Sequence, residues 1–149
     1  MKIEQERVKL KSTKSIEFIN ITQSVEDVLH KSGIANGQVL IFSPHTTAGL
    51  ALNDSEPMLI QDFTRTLNRL IPVDERFDHD LFELSKSNKS DGRSNGHSHC
   101  KNIILVNSEV IPVLNGEMQL GGKQSIFFIE LDGARERDFI VQITGDRPY

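Results

Sequence analysis

The chain has 149 residues, 37% of them hydrophobic and 26% charged, with a formal net charge of −4 and one cysteine. This length suits a single domain. The acidic balance argues against broad nucleic-acid or anionic-membrane binding. The lone Cys100 cannot form an intrachain disulfide, and no apolar run is long enough to span a membrane.

The N-terminal stretch MKIEQERVKL is polar and alternating, unlike a signal peptide, so a cytoplasmic protein is expected. Gln5 to Leu10 and Ile16 to Ile21 alternate polar and apolar residues. They read as two strands of an opening hairpin with KSTK at its turn. Ser24-Val25-Glu26-Asp27 reads as a capping box opening a short helix that stops at Gly33. GQVLIFS, bounded by Gly37 and Pro44, predicts a buried strand, and GLALND a second one after the SPHTTA turn. Asp54 or Ser55 is expected to cap a second helix with Pro57 in its first turn. Leu59, Phe63, Leu67 and Leu70 recur at helical spacing and predict its buried face, and Pro72 ends it. From Val73 to Asn95 the chain is polar and weakly patterned, and SKSNKSDGRSNG predicts a surface loop.

The last third reads as β. EVIPVL and EMQL flank Asn115-Gly116, which supplies the positive φ angles of a type I′ hairpin turn. QSIFFIEL and RDFIVQIT add two strands around Asp132-Gly133. HCKNIILV suits a strand by its β-branched residues and a helix by its place after SNGHS. The sum is an α+β chain: a β-rich, mostly antiparallel two-layer sandwich with two or three helices on one side, one domain over residues 1–149.

Chemistry concentrates in histidine. His45, His79, His97 and His99 fall in three separate polar segments, with only His30 apart from them. Imidazole is the commonest metal ligand and titrates near neutrality. His45 ends a buried strand beside Thr46 and Thr47; it suits a ligand or acid–base role, and equally a half-buried turn histidine. His79 lies between Asp78 and Asp80, which can orient it or raise its pKa, although a solvated charged turn reads the same way. His97 and His99 share a side only if the segment is extended; on a helix they diverge by about 200°. Cys100 reads as a small buried hydrophobe rather than a ligand. No H-E-x-x-H, paired C-x-x-C, Gly-rich phosphate loop or G-x-S-x-G context is present. Asp132 is explained by its Asp-Gly turn, whereas Glu130 stands unexplained among apolar strand neighbours.

SPHTTAGLALND, DERFDHD and the run from SHCKNIILV to QITG resemble, in order and over the whole chain, the YjbQ-like family. Some members of that family carry the name secondary thiamine-phosphate synthase. The most specific stretch comprises Gly116, Gly121, Gln124, Phe128, Glu130 and Asp132, and Lys123 stands where the family usually has Trp. The resemblance implies a compact β-sandwich, a homotrimer, and three histidines gathered in a cleft near a subunit boundary: His45, His79 and His99, with His97 an extra. It implies that His97 to Leu105 begins a helix, and that Asn53 and Asp54 match the family's Asn-Glu/Asp pair after the second strand. Three imidazoles favour zinc or a similar transition metal over magnesium.

The function expected from the resemblance is a metal-dependent enzyme acting on a small phosphorylated substrate. As thiamine-phosphate synthase it would join a pyrimidine methyl diphosphate to a thiazole phosphate with release of pyrophosphate. Asp80 and Glu130 would orient a histidine or move a proton. Thr46, Thr47, Asn53, Lys101 and Gln124 would contact substrate. The alternative is a non-enzymatic trimeric binder of small anions, held by protonated histidines. A third reading is a scaffold whose histidines serve packing alone.

Overall fold

A computed structural model describes residues 1–85 and 93–148. In chain order the elements are β1 (Lys2–Lys11), β2 (Glu17–Asn20), α1 (Thr22–Ser32), β3 (Asn36–Phe42), β4 (Ala48–Asn53), α2 (Pro57–Leu70), α3 (Asp78–Ser85), α4 (Gly96–Ile104), β5 (Ser108–Leu114), β6 (Glu117–Met118), β7 (Ser125–Glu130) and β8 (Glu136–Asp146). The strands make a five-stranded sheet in the order β1-β8-β3-β5-β6 and a three-stranded sheet in the order β2-β7-β4. Every strand pairing in both sheets is antiparallel. The α+β fold expected from the sequence is therefore present, with four helices among the described residues rather than two or three. None of them is long and apolar enough to cross a membrane.

The three-stranded sheet explains why QSIFFIE is apolar throughout. Side chains alternate between the faces of a strand. Ile126 and Phe128 point into the main core with Val39, Ile41, Leu50, Val141 and Ile143. Phe127, Ile129 and Leu131 belong to a second cluster, which Leu67 and Ile60 of α2 cover. The sheet is thus buried on both sides, and a strand buried twice cannot show polar alternation.

Several local expectations are corrected. The first two strands are not a hairpin: β1 pairs with β8 and β2 with β7, in different sheets. Ser12 carries the chain across, its hydroxyl buried against Glu130. The helix α1 begins at Thr22, so Ser24 to Asp27 lie inside it. Asn20 Oδ1 instead accepts the Thr22 amide at 3.1 Å, while Gly33 ends the helix as expected, at φ 68°. The cap of α2 is Glu56, whose carboxylate accepts from the Met58 and Leu59 amides at 2.8 and 2.7 Å, with Pro57 at the first helical position. Only Leu67 of its expected apolar face is buried, and Leu70 is 60% exposed. The polar stretch after Val73 contains α3, opened by Asp78 and Asp80 in its first turn; residues 86–92 of the expected surface loop lie outside the described residues. The Asn115-Gly116 turn has the expected positive φ angles, 54° and 80°.

Phe128→Ala should cost about 3–5 kcal/mol, since it empties a fully buried position between the sheets. Leu70→Ala should stay within about 0.5 kcal/mol. Urea unfolding midpoints of the two variants check the contrast.

Candidate functional site

Glu130 sits at the end of β7 and is completely buried. Arg137 occupies the first core-facing position of β8 and is 7% exposed. Arg137 Nη2 donates to Glu130 Oε2 at 2.6 Å, and Nε reaches both carboxylate oxygens at 3.0 and 3.1 Å. Ser12 donates to Oε1 at 2.7 Å, and the Leu131 and Asp132 amides donate to Oε2. Nη2 also donates to Thr47 Oγ1 at 2.8 Å. Burial alone would raise the Glu130 carboxyl. The hydrogen bonds from Arg137 and Ser12 and the guanidinium charge outweigh it, and the carboxyl lies below its usual range. This geometry turns both Glu130 and Thr47 inward.

A second network grows from Asp132, two residues on. Its carboxylate accepts from Asn95 Nδ2 at 2.9 Å, Arg135 Nη1 at 3.1 Å and Arg93 Nη1 at 3.2 Å. Because Asn95 gives its amide N–H to Asp132, its Oδ1 faces His79 Nε2 at 3.0 Å. His79 therefore carries its proton on Nε2, and its Nδ1 is the basic nitrogen. The rings of His79 and His99 meet edge to face with centroids 4.8 Å apart. Asp80 Oδ1 accepts the Gly96 amide at 2.9 Å, tying α3 to the start of α4. Gly96 is required there, since a Cβ would come within 2.5 Å of Phe77.

His45 is held differently. Its Nε2 lies 2.9 Å from the Asp138 carbonyl and 3.0 Å from Asp138 Oδ1. Both oxygens are nearer than the Asp138 amide at 3.3 Å, so Nε2 donates. Arg7 bonds the same carboxylate at 2.9 Å and holds it below the usual aspartate range. The ring edges a cleft of about 540 Å³ whose rim carries Lys9 and Lys11. The His45 carbonyl accepts from Asn102 of α4 at 3.4 Å, which anchors this loop on the helix that carries His99. Thr46, His99, Asn102 and Ile103 line a neighbouring hollow of about 580 Å³.

His45 and His79 each commit Nε2 to an oxygen, the arrangement that prepares an imidazole to ligate through its other nitrogen. The grouping is incomplete, however: among the described residues no cluster of three or more His, Cys, Asp or Glu side chains is placed to hold an ion. As arranged, the residues fit two adjoining imidazoles and not a closed three-histidine set.

The remaining candidates have local partners. Gln124 Oε1 accepts the Gly121 amide at 2.9 Å and closes the loop before β7. Asn53 Oδ1 accepts the Asp54 amide at 2.8 Å at the end of β4. Lys101 is fully buried, with Nζ 2.7 Å from His97 Nδ1 one turn back on α4. Burial lowers the pKa of both, and the Lys101 charge lowers His97 further. The α4 helix itself confirms the resemblance against the strand reading of HCKNIILV.

Sequence reasoning missed Arg137, Asp138, Ser12 and Asn95. Arg137 alone left a signal, as a charge at a core-facing position of an alternating strand.

Removing one partner of a buried pair leaves the other charge uncompensated. Glu130→Gln should therefore cost about 3–5 kcal/mol. The folded-state carboxyl titrates below its unfolded value, so its stabilisation is complete above the usual glutamate range. It disappears as pH falls through the folded-state value. Denaturant midpoints measured downward from about pH 7 to about pH 3 should decline in the wild type. An apolar Glu130→Met/Arg137→Met double variant should lose that part of the slope.

Comparison with known proteins agrees with this fold. The model of the UPF0047 protein YjbQ-like family matches residues 6–146. A UPF0047 protein of Methanothermobacter thermautotrophicus is 36% identical over 145 residues, covering 97% of this chain and 94% of that protein. UPF0047 protein YugU of Bacillus subtilis is 32% identical over 139 residues, covering 93% and 97%. The crystal structure of a YbjQ-like protein of unknown function from Sulfolobus solfataricus superposes with a TM-score of 0.88 at 31% identity, covering 97% and 99% of the two chains. That of a hypothetical protein from Aeropyrum pernix gives 0.87 at 32%, covering 96% and 99%. The chain belongs to the UPF0047, YjbQ-like family.

Proposed function

We propose that the chain is an enzyme acting on a small phosphorylated molecule, with His45 as its acid–base group. The observation that supports this most directly is the His45–Asp138 contact at 3.0 Å on the edge of a lysine-rimmed cleft. A carboxylate-oriented imidazole keeps one nitrogen for substrate, and positioned proton transfer is worth about 10²–10⁴ in rate. Lys9 and Lys11 supply charge for a phosphate oxygen or a departing pyrophosphate. The reaction this reading assigns is the thiamine-phosphate synthase one, with Thr46 and the His79–His99 pair at the substrate's far side. Zinc on that pair, and a homotrimer, belong to the same reading. Ile103, Ile104 and Val106 are exposed beside the His99 hollow, which suits a subunit boundary there.

The second reading is a non-enzymatic, cytoplasmic anion binder, favoured by the same basic rim. Mixing the protein with pyrimidine methyl diphosphate and thiazole phosphate separates the two. The enzyme reading expects pyrophosphate release, lowered roughly 10²–10⁴-fold by His45→Ala. Without release in the wild type, phosphate affinity that weakens as pH rises through neutrality favours the binder. Elemental analysis of untagged wild type and His99→Ala tests the metal: zinc is expected in the first and lost in the second.

A further inference from the structure

The cleft rimmed by Lys9 and Lys11 also carries an acid, Glu136. Residues two apart on a strand share a face. Lys9 and Lys11 of β1 therefore project together to the exposed side, away from Leu10, which packs on the core. Across the ladder, β8 sets Asp138 opposite Lys9 and Glu136 opposite Lys11. Residues so paired have Cβ atoms about 4.5–5.5 Å apart. All four line the same cleft of about 540 Å³ that His45 edges.

The charges on this face are unequally satisfied. Both Asp138 oxygens are engaged: Oδ2 accepts from Arg7 at 2.9 Å, and Oδ1 faces His45 Nε2 at 3.0 Å. Lys9 is thereby left without the acid opposite it. Lys11 and Glu136 stand opposite each other yet form no ion pair. Among the described residues, no side-chain hydrogen bond engages Lys9, Lys11 or Glu136. Arg7 and Asp138 are neutral as a unit, so these three groups leave the cleft a single net positive charge. Two lysines suit the oxygens of a phosphate dianion, whereas a carboxylate beside them repels it. A positively charged nitrogen close to the phosphate turns that repulsion into attraction. Such a ligand has a single net negative charge, which balances the cleft.

We infer that the cleft selects a phosphate monoester bearing a protonated amine or other cationic nitrogen. Lys9 and Lys11 take the phosphate, and Glu136 is the specificity-determining residue that takes the nitrogen. The inference rests on the reading of this cleft as a phosphate site and adds the second charge that its ligand carries. Lys9 and Lys11 are about 7 Å apart along the strand, and Glu136 lies directly across from the second of them. These spacings suit a small molecule whose two charges are a few atoms apart. Glu136 also acts against purely anionic phosphates, which would leave it facing like charge.

Calorimetric titration of the full chain with phosphoethanolamine and with propyl phosphate tests the inference. At about pH 8 both phosphates are doubly charged and the amine is protonated, so the two molecules differ in an ammonium group exchanged for a methyl group. Wild type is expected to favour phosphoethanolamine by roughly three- to fivefold, the upper range for an ion pair exposed to solvent. Glu136→Gln should abolish that preference. Glu136 is exposed, so the substitution should leave the melting temperature unchanged. Lys9→Gln/Lys11→Gln should weaken both ligands. Four results overturn the inference: no saturable binding of either ligand, equal or reversed affinities in wild type, a preference that persists in Glu136→Gln, or undiminished binding in the lysine variant. Pyrophosphate release without a preference for phosphoethanolamine removes this inference alone. The preference without release removes the enzyme reading and keeps the zwitterion site.

Discussion

The buried pair of Glu130 and Arg137 is the joint on which the two sheets turn. Glu130 ends β7 in the three-stranded sheet, and Arg137 begins the inward face of β8 in the five-stranded one. A carboxylate taken out of water needs its oxygens filled, and five donors from two side chains and one backbone turn do so here. Those donors fix how Ser12, Thr47 and the turn after β7 lie against one another. The strand ends that carry the polar chemistry are therefore set by one ion pair, while the apolar cores on either side supply the cohesion.

From that joint order spreads outward through Asp132. Its partners Arg93 and Asn95 dock the chain entering α4, and Asn95 in turn fixes the tautomer of His79. Ser98 Oγ adds a bond of 2.6 Å to the Leu131 carbonyl, seating α4 on the same turn. A chain of hydrogen bonds thus runs from the packed interior to the His79 imidazole, which meets the His99 ring edge to face. Such a network sets geometry more than it adds stability, since each bond replaces one to water. The division of labour is physical: Glu130 is enclosed and holds position, whereas His45 and His99 each line a surface hollow.

The strands and their turns were legible because their causes are local. Asn115-Gly116 takes positive φ angles that few other residues tolerate, Gly33 ends its helix for the same reason, and QSIFFIEL reads as a strand from its β-branched and aromatic residues. The α4 helix was legible only through family likeness, because NIIL carries the β-branched bias of a strand while tertiary packing decides its state. The opening hairpin was misread because alternation marks a strand without naming its partner. Glu130 stood out as an unexplained charge, yet its partner seven residues on could not be named, since the turn between them decides whether the two side chains meet.

By itself the sequence determined a single α+β chain rich in antiparallel strands and the segments that carry its histidines. Periodicity, turn chemistry and residue type act over a few neighbours and survive in a one-dimensional record. Only the tertiary structure decided that β1 and β2 enter different sheets, that Glu130 and Thr47 face inward, that His45 turns to Asp138 while His79 meets His99, and that Lys101 is buried behind His97. Each of these depends on contacts between residues far apart in the chain, or on which face of an element the fold covers. That information belongs to packing and is absent from local pattern.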